Sequence, residues 1–358
     1  MQILWICKRH YTNKDLILDH FGRLYHFPIE LGNQGFSSEV IALDYFGRGV
    51  VVHEEDNTRF RTLPVMGFRV IHAWQKIRCY MRESRSDIVI ASGDTHFGWL
   101  GLRLAKRHGL PFVFDIYDDY RTFGTNRLPG MKRLFLSLVK NSDAIVCSSR
   151  NLAHALESYA KRAYVIGNGV DTELFHQTDR LKERAALGIP VNAPVIGYFG
   201  ALQREFGVET LLEACALLKQ KLPELRLLLA GRNRLGAKLA RAFVDYRGNV
   251  PQTLIPQLIS ACNVVTMPYH RGPQVDMSNP CKLAEYLACN MPIVATRVTD
   301  LPILLAQCPK GLCEPGDTAS LAAAILDQLE IPCTVRFPQE FTWQSLAKKL
   351  GDGLRAIV

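Results

Sequence analysis

Short apolar runs alternate with helix-like segments along nearly the whole chain, and this alternation limits the fold more than any other feature. Each run is three to five residues long. Strands separated by helices join into parallel sheets through right-handed crossovers, so an α/β fold is expected, with ligand sites outside the carboxyl ends of strands. The runs are Ile3–Cys7, Val40–Leu43, Ile88–Ala91, Pro111–Phe114, Ala144–Cys147, Tyr164–Ile166, Val195–Phe199, Leu225–Leu229, Val264–Met267 and Ile293–Ala295.

Length and composition agree with two globular domains. The chain has 358 residues, of which 48% are apolar and 22% are charged. Such a chain can form two hydrophobic cores. Turn residues between Gly167 and Phe175 separate two strand-rich halves, and the domain boundary is expected there.

The segment Ser278–Ala288 has the pattern of a phosphate-binding helix start. Small and turn-forming residues precede a helical pattern, and an apolar strand-like run follows it. The N–H groups at a helix N-terminus, the helix dipole and one lysine together can hold a diphosphate without a metal. A glutamate one turn later can accept hydrogen bonds from a ribose. The pattern therefore suits a nucleotide-diphospho-sugar, with candidate ligands Ser278, Asn279, Pro280, Lys282 and Glu285.

Two motifs resemble those of the retaining glycosyltransferase family 4. Ser278–Thr296 resembles its donor-site signature, and Val165–Phe175 resembles its interdomain motif, with Gly167 in place of the usual proline. The resemblance extends along the whole chain. It implies the GT-B fold, in which two Rossmann-like domains face each other across a cleft. The implied parts are an acceptor-side domain (1–167), a donor domain (168–338) and a helix returning to the first domain (339–358).

The resemblance also implies a reaction. A hexosyltransferase of this type moves a sugar from a nucleotide-diphosphate donor to an acceptor hydroxyl with retention, in the assembly of a glycan, polysaccharide or glycolipid. Lys282 and Arg204 are expected to stabilise the leaving diphosphate, and no cofactor besides the donor is expected. The sequence has no dinucleotide-binding G-x-G-x-x-G, P-loop or D-x-D motif, so metal-independent phosphate stabilisation is predicted.

The loop after Val195–Phe199 departs from the family pattern at both of its cations. Ala201 stands where arginine is common, and Phe206 stands where lysine is common. Arg204 is the candidate replacement, with a solvated loop cation as the alternative. Gly200, at a strand end, allows the backbone to approach a phosphate closely.

Further candidates follow other strands. Asp276 is the carboxylate nearest to the family's donor-sugar glutamate, which is methionine here. In the first half, Tyr117 takes the place of the family's histidine and Asp118 keeps its acid. Both aspartates have capping or turn roles as alternatives. His96 follows another strand end and is expected to face the same site.

Near the N-terminus, Gly22 and Arg23 occupy the place of the family's glycine-rich loop. They are candidates for an anion contact. A glycine that starts a helix, followed by a surface arginine, is the alternative interpretation.

The net charge of +9 is concentrated in the first half, since residues 1–165 carry +7 of it. Seven cations lie in residues 59–85 among aromatic and aliphatic side chains. A helix from Val65 to Arg85 with this composition is typical of contact with an anionic membrane, and an ordinary amphipathic helix packed on its sheet is the alternative. No nucleic-acid-binding signature accompanies the charge. The cations are Arg59, Arg61, Arg69, Lys76, Arg78, Arg82 and Arg85.

The ten cysteines include no C-x-x-C pair, so buried reduced thiols are expected rather than disulfides or a metal site. No secretion signal or membrane-length apolar run is present in the sequence. A cytoplasmic location is expected, with peripheral contact to the inner face of the membrane as a further expectation. The expected partners are a nucleotide-sugar donor and a glycan or lipid-linked acceptor.

Two rival functions stay open. Ala201, Phe206 and Tyr117 replace expected polar groups, which favours a nucleotide or sugar binder without turnover. A nucleotide-sugar epimerase of the same fold would convert its donor with no acceptor present.

Overall fold

The chain folds into two compact units, each built on a mainly parallel sheet. The computed structural model describes residues 1–11, 14–65, 69–122 and 124–358. The first unit comprises Met1–Gly169, Met277–Asn279 and Glu340–Val358, and the second comprises Val170–Asp276 and Pro280–Gln339. The predicted boundaries, after 167 and after 338, lie within about two residues of these divisions, and the three residues 277–279 were not expected in the first unit.

The first unit is organised around one sheet whose strands run in the order β10-β9-β8-β7-β1-β4-β6-β5. All neighbours are parallel except β5 and β6, which pair antiparallel. The short strands β2 and β3 form a separate hairpin. The strands are β1 (Gln2–Lys8), β2 (His10–Tyr11), β3 (Lys14–Asp15), β4 (Ser37–Asp44), β5 (Val52–Glu55), β6 (Thr58–Pro64), β7 (Ile88–Ser92), β8 (Phe112–Ile116), β9 (Ala144–Cys147) and β10 (Ala163–Val165).

Helices connect these strands and cover the sheet, and a final helix, described below, completes the unit. The connecting helices are α1 (Arg23–Gly32), α2 (Arg69–Ser84), α3 (Thr95–His108), α4 (Met131–Asn141) and α5 (Arg150–His154).

The second unit is a doubly wound parallel sheet. Its strands run in the order β13-β12-β11-β14-β15-β16, so the order reverses between β11 and β14. Ligands of such sheets bind outside the carboxyl ends of the strands at this reversal. The strands are β11 (Val195–Phe199), β12 (Arg226–Ala230), β13 (Val244–Tyr246), β14 (Val264–Met267), β15 (Ile293–Thr296) and β16 (Leu312–Cys313).

The helices of the second unit are α6 (Arg180–Leu187), α7 (Val208–Lys219), α8 (Ile255–Ser260), α9 (Pro273–Asp276), α10 (Cys281–Ala288), α11 (Leu301–Leu304) and α12 (Thr318–Glu330). The last helix of the chain, α13 (Trp343–Arg355), belongs to the first unit and packs against α1. The Thr342 hydroxyl caps α13 by accepting from the Ser345 N–H. Trp343 is buried and stacks on His26 with ring centroids 4.9 Å apart, as expected of a packing anchor.

Every predicted apolar run overlaps a strand of these sheets, whereas β5, β6, β13 and β16 were not predicted. Both central sheets are buried on both faces, and β1, β7, β11 and β14 are nearly continuous apolar segments. This composition is what parallel strands covered by helices require.

The basic segment divides between a strand and a helix. Helix α2 spans Arg69–Ser84 and Val65 lies outside it, whereas residues 66–68 of the predicted helix, including Phe68, lie outside the described residues. Ala73, Ile77 and Met81 of α2 are buried in the core. Their burial favours the alternative of an amphipathic helix packed on its sheet. Among the described residues, no helix combines the length and apolar character needed to cross a bilayer.

The expectation of reduced thiols is wrong for one pair, because Cys308 and Cys333 form a disulfide. The other cysteines are free, and most of them are buried. Burial raises the pKa of Cys7 and of Cys147 to about 12, so these thiols behave as core side chains.

Helix α3 lies close to its sheet because two glycines face the strands. A Cβ at Gly98 would lie 2.7 Å from a ring carbon of Phe114, and one at Gly101 would lie 2.6 Å from a ring carbon of Phe112. Leu104 of α3 is buried as well, whereas Trp99 and Arg103 are exposed.

We expect Gly101→Ala to lower the free energy of unfolding by about 1–3 kcal/mol, because the new methyl overlaps Phe112 and Ala91 and outweighs the helix propensity of alanine. Urea unfolding measures this change. The control is Gly272→Ala, since a Cβ at Gly272 meets nothing within 4 Å. Equal stability of the two variants would contradict the close packing of α3.

Candidate functional site

Lys282 lies over the carboxyl end of β11, the strand at which the order of the second sheet reverses. Gly200 follows that strand with φ +147, and a Cβ there would lie 2.6 Å from Lys282 Nζ. Glycine at this position therefore provides the space for the lysine side chain. The loops after neighbouring strands also meet here, since a Cβ at Gly207 would overlap the Pro268 carbonyl oxygen.

Aromatic rings surround the Lys282 ammonium. Its Nζ lies 5.1 Å from the ring centroid of Tyr198, 5.4 Å from that of Tyr269 and 5.5 Å from that of Phe206. It also donates a hydrogen bond of 3.1 Å to the Tyr269 hydroxyl. Burial of the Lys282 side chain acts to lower its pKa, but the neighbouring tyrosines raise this pKa well above its usual value. Lys282 is thus a fixed cation held mainly by ring faces.

The surroundings of Lys282 give Phe206 a role that the sequence did not reveal. The residue was noted only as the loss of a common lysine, whereas its ring packs against Tyr269 with centroids 5.5 Å apart and faces Lys282. Tyr198 and Tyr269 were also missed. Tyr269 lies two residues past the end of β14, a position from which the strand-end rule could have found it.

Glu285 lies on α10, three residues after Lys282. Its side chain is half-buried. Burial raises the pKa of Glu285 to about 7, although the Lys282 charge acts to lower it. A carboxylate in this position can accept hydrogen bonds from hydroxyl groups.

Hydrogen-bonded asparagine side chains lie next to the N-terminus of α10. Pro280 is its N-cap, and within the described part of the chain no side chain caps the helix there. Preceding it, Asn279 accepts a 2.7 Å hydrogen bond from the Asn168 N–H through Oδ1, and its carbonyl accepts a 2.8 Å bond from Asn168 Nδ2. A Cβ at Gly167 would lie 3.1 Å from the Asn279 side chain. This spacing explains why a small residue replaces the family's proline.

Arg204 and Asp276 have simpler surroundings. Arg204 is 81% exposed, and its Nε lies 3.8 Å from Glu209, as in the solvated-cation alternative. Asp276 accepts a 3.1 Å hydrogen bond from the Gly272 N–H and so closes the turn that begins α9. Their predicted contacts with the donor stay predictions, as does that of Ser278.

In the first unit, Tyr117 and Asp118 directly follow β8, and Lys8 ends β1. The Lys8 ammonium lies 5.6 Å from the Tyr117 ring centroid. Burial raises the pKa of Asp118 to about 6. A 2.9 Å hydrogen bond from the Asp119 N–H and the charge of Lys8 act to lower this pKa, but burial outweighs them. Burial also lowers the pKa of Lys8, although the carboxylates of Asp94 and Asp118 act to raise it. Sequence reasoning missed Lys8, although it is the last residue of the buried strand β1.

His96 lies in the first turn of α3. Its N–H and its Nδ1 lie 2.9 Å and 3.2 Å from Asp94 Oδ1, because Asp94 is the N-cap of the helix. The imidazole is exposed. It is thus oriented by the cap and accessible to a ligand.

Arg23 is not on the surface, so the surface-arginine alternative is wrong. Its side chain is fully buried and donates a 2.8 Å hydrogen bond from Nη2 to Asp115 Oδ1. Asp115 also accepts a 2.8 Å bond from the Ser92 hydroxyl. Gly22 is the N-cap of α1 with φ +72. The guanidinium is occupied by a buried ion pair, so the predicted anion contact gains no support from the structure.

The described residues contain one group with metal-ligand spacing. Ligand atoms of His20, His53 and Glu55 lie within 4.8 Å of one another. His53 Nε2 lies 3.1 Å from Glu55, which also accepts a hydrogen bond from the Tyr25 hydroxyl. His20 lies two residues before the predicted site residue Gly22, and His53 and Glu55 lie on β5.

Comparison with known families identifies both units. The family model "Glycosyltransferase Family 4" matches residues 24–174, and "Glycosyl transferases group 1" matches residues 193–330. The chain belongs to glycosyltransferase family 4. The family resemblance drawn from Ser278–Thr296 is thereby confirmed.

Curated relatives of this family 4 chain are named D-inositol 3-phosphate glycosyltransferases. The protein from Corynebacterium urealyticum is 28% identical over 277 residues, which cover 68% of this chain and 63% of that protein. The chain thus spans less than two thirds of that relative. A protein from an Arthrobacter species is 25% identical over 359 residues, which cover 89% of this chain and 83% of that protein.

Solved structures share the GT-B fold with this family 4 chain. Sucrose-phosphate synthase from Thermosynechococcus elongatus has a TM-score of 0.79 at 19% identity, covering 99% of this chain and 98% of that one. The Anabaena protein HepE, in complex with UDP, has a TM-score of 0.69 at 18% identity, covering 100% and 97%. The predicted fold class is confirmed.

The raised pKa of Glu285 gives a pH-dependent prediction. A carboxyl whose folded-state pKa exceeds its unfolded value destabilises the fold when it ionises. This cost is absent below the usual value of 4.5 and complete above about 7. We therefore expect Glu285→Gln to stabilise the protein at about pH 8, and progressively less towards about pH 5.

Urea unfolding at several pH values measures this effect, with the exposed Glu224→Gln as the matched control. A stability difference between Glu285→Gln and wild type that does not change with pH would show that Glu285 titrates normally.

Proposed function

We propose that this family 4 chain transfers a sugar from a nucleotide-diphosphate-sugar to an acceptor hydroxyl with retention at the anomeric carbon. The observation that carries the proposal is the Lys282 ammonium, which is held over Gly200 at the reversal of the second sheet. Relatives named as glycosyltransferases and a structural neighbour in complex with UDP support it.

Lys282 is suited to a leaving diphosphate. As the bond between the anomeric carbon and the diphosphate oxygen breaks, negative charge grows on that oxygen, and the sugar takes on oxocarbenium character. Aromatic faces contact Lys282, and among the described residues it forms no ion pair with a carboxylate, so its charge is available to the donor diphosphate. The dipole and N–H groups of α10 add to this stabilisation, and Arg204 is exposed enough to supply a second cation.

Glu285 is proposed to accept hydrogen bonds from the donor ribose. On the first unit, Asp118, Tyr117 and His96 are proposed to contact the transferred sugar or the acceptor. We propose that the transfer needs no metal ion, since cations and a helix N-terminus supply the charge stabilisation, and that the acceptor is a glycan or a lipid-linked glycan.

We expect Lys282→Met to lower the transfer rate by about 10²–10³-fold, because its charge acts mainly as the leaving group departs. Glu285→Ala should instead weaken donor binding by about tenfold. A thermal-shift screen over UDP-, GDP-, dTDP- and ADP-sugars identifies the donor. Kinetics with that donor, with and without EDTA, then separate the rate from the binding and test metal independence.

The matched control is Lys221→Met, which removes an exposed lysine from the same unit. Unchanged kinetics in both site variants would remove the donor-site assignment. Complete loss of activity with EDTA, restored by Mg²⁺ or Mn²⁺, would overturn the metal-independent mechanism.

We also propose peripheral contact of the first unit with an anionic membrane, through cations near α2. Arg82 and Arg85 are exposed, and Arg78 is half-buried. Each cation near an anionic leaflet contributes about 1 kcal/mol. Arg61 contributes less, because it is paired with Glu39 at 2.6 Å and lies over the Tyr80 ring.

Co-sedimentation with phosphatidylserine vesicles tests this contact. We expect salt-sensitive binding that is lost in the double variant Arg78→Glu and Arg82→Glu. The control Lys348→Glu and Lys349→Glu makes the same charge change on exposed residues of α13. Binding that survives the α2 reversal, or that is lost equally in the control, would contradict a specific membrane surface.

A further inference from the structure

The first unit contains a cavity of about 1080 Å³, and His96 is the proposed sugar or acceptor contact that lines it. One face of α3 forms its longest wall, through His96, Trp99, Leu100, Arg103 and Arg107. The spacing of these residues is that of a single helix face, and the twelve residues from His96 to Arg107 span about 16 Å. The cavity is therefore elongated along a helix.

The sequence of α3 accounts for this open face. Gly98 and Gly101 bring the opposite face of the helix against Phe114 and Phe112 of the sheet. Leu104 is buried on the same helix, whereas Arg103 is exposed. Trp99 is 42% exposed, and the Arg103 guanidinium lies 4.9 Å from its ring centroid.

Apolar side chains from other elements complete the walls. Ala73 and Ile77 of α2 lie four residues apart, and Met131 and Leu134 of α4 lie three residues apart. Residues at these spacings share one face of a helix, so each helix presents one face to the cavity. The apolar character of three helix faces suits a hydrocarbon chain better than a sugar, whose hydroxyls need hydrogen-bond partners.

The polar groups of the cavity are unevenly distributed. Lys8 and Asp94 lie at the carboxyl ends of β1 and β7, whereas Arg103 and Arg107 lie further along α3. Cations outnumber carboxylates among these groups. Lys8 also faces Tyr117 and interacts with Asp118, so one end of the cavity adjoins the proposed acceptor contacts.

We infer that this cavity binds the hydrocarbon chain of a lipid acceptor whose head group carries a phosphate. The chain lies along α3 between α2 and α4, and the phosphate pairs with Lys8. This placement brings the head-group hydroxyl to Asp118. The inference rests on the proposed transfer reaction and names its acceptor class.

The test uses 1-dodecanoyl-glycerol 3-phosphate, which has one chain, one phosphate and a free hydroxyl. Calorimetric titration below its micelle concentration should show binding of one lipid per chain. Glycerol 3-phosphate, which lacks the chain, and 1-dodecanoylglycerol, which lacks the phosphate, should each bind at least about tenfold more weakly.

Two sets of variants locate the lipid. Leu134→Trp and Leu100→Trp fill the cavity from half-buried positions and should weaken binding of the phospholipid by about tenfold or more. Leu217→Trp, at an exposed position of the second unit, should bind it as wild type does. Lys8→Met should bind the lipids with and without phosphate equally.

Binding of UDP, GDP, dTDP and ADP is measured on the same proteins and separates the two proposals. Wild-type protein that binds one of these nucleotides but not the phospholipid, or cavity variants that still bind the phospholipid as wild type does, would overturn the lipid inference alone. Equal affinity for glycerol 3-phosphate would overturn it too, because the chain would then contribute nothing. Lipid binding by a protein that binds none of the four nucleotides would instead overturn the donor proposal.

Discussion

Parallel pairing of the strands is the constraint on which the candidate site depends. In a parallel sheet all carboxyl ends lie at one edge, so residues distant in sequence meet wherever neighbouring strands end. In the second unit this edge brings Gly200, after β11, close to Lys282, on a helix more than 80 residues later. In the first unit it places Lys8, at the end of β1, beside Tyr117, after β8. The site chemistry is thus largely a product of strand direction.

The charges of Arg23 and Lys282 have opposite kinds of surroundings. Arg23 is fully buried and is paired with Asp115, so its charge stabilises the interior of the first unit and is neutralised there. Lys282 faces Tyr198, Tyr269 and Phe206 instead. Ring faces stabilise a cation without cancelling its charge. Only the second arrangement leaves a charge available to an anionic ligand.

Much of the fold could be predicted from the sequence because strands buried on both faces are continuous apolar runs. Strand β11 is Val195–Phe199 in both the prediction and the structure. Strand β6 was missed because its arginines were grouped with the cations of the following helix as one basic segment, although Thr58–Pro64 shows a largely alternating burial pattern. The disulfide between Cys308 and Cys333 was missed for a different reason. Its residues are 25 apart, and sequence spacing alone does not report their proximity.

The candidate site was predictable where one segment supplies it and not where several do. Lys282 and Glu285 share α10, so their motif was visible in the sequence. The function of Phe206 depends on rings from β11 and from the segment after β14, which only the folded chain brings together. Arg23 was misplaced because a lone arginine beside a glycine does not reveal a buried partner 92 residues away.

The surroundings of Lys282 also affect its reactivity towards reagents. Acylating and alkylating compounds attack the neutral amine, and a lysine whose pKa is raised well above 10.5 is almost never neutral near physiological pH. Its aromatic neighbours also limit the directions from which a reagent can approach. Covalent reagents therefore modify Lys282 more slowly than exposed surface lysines, although Lys282 is partly exposed. Its ammonium stays unmodified while those surface lysines are labelled.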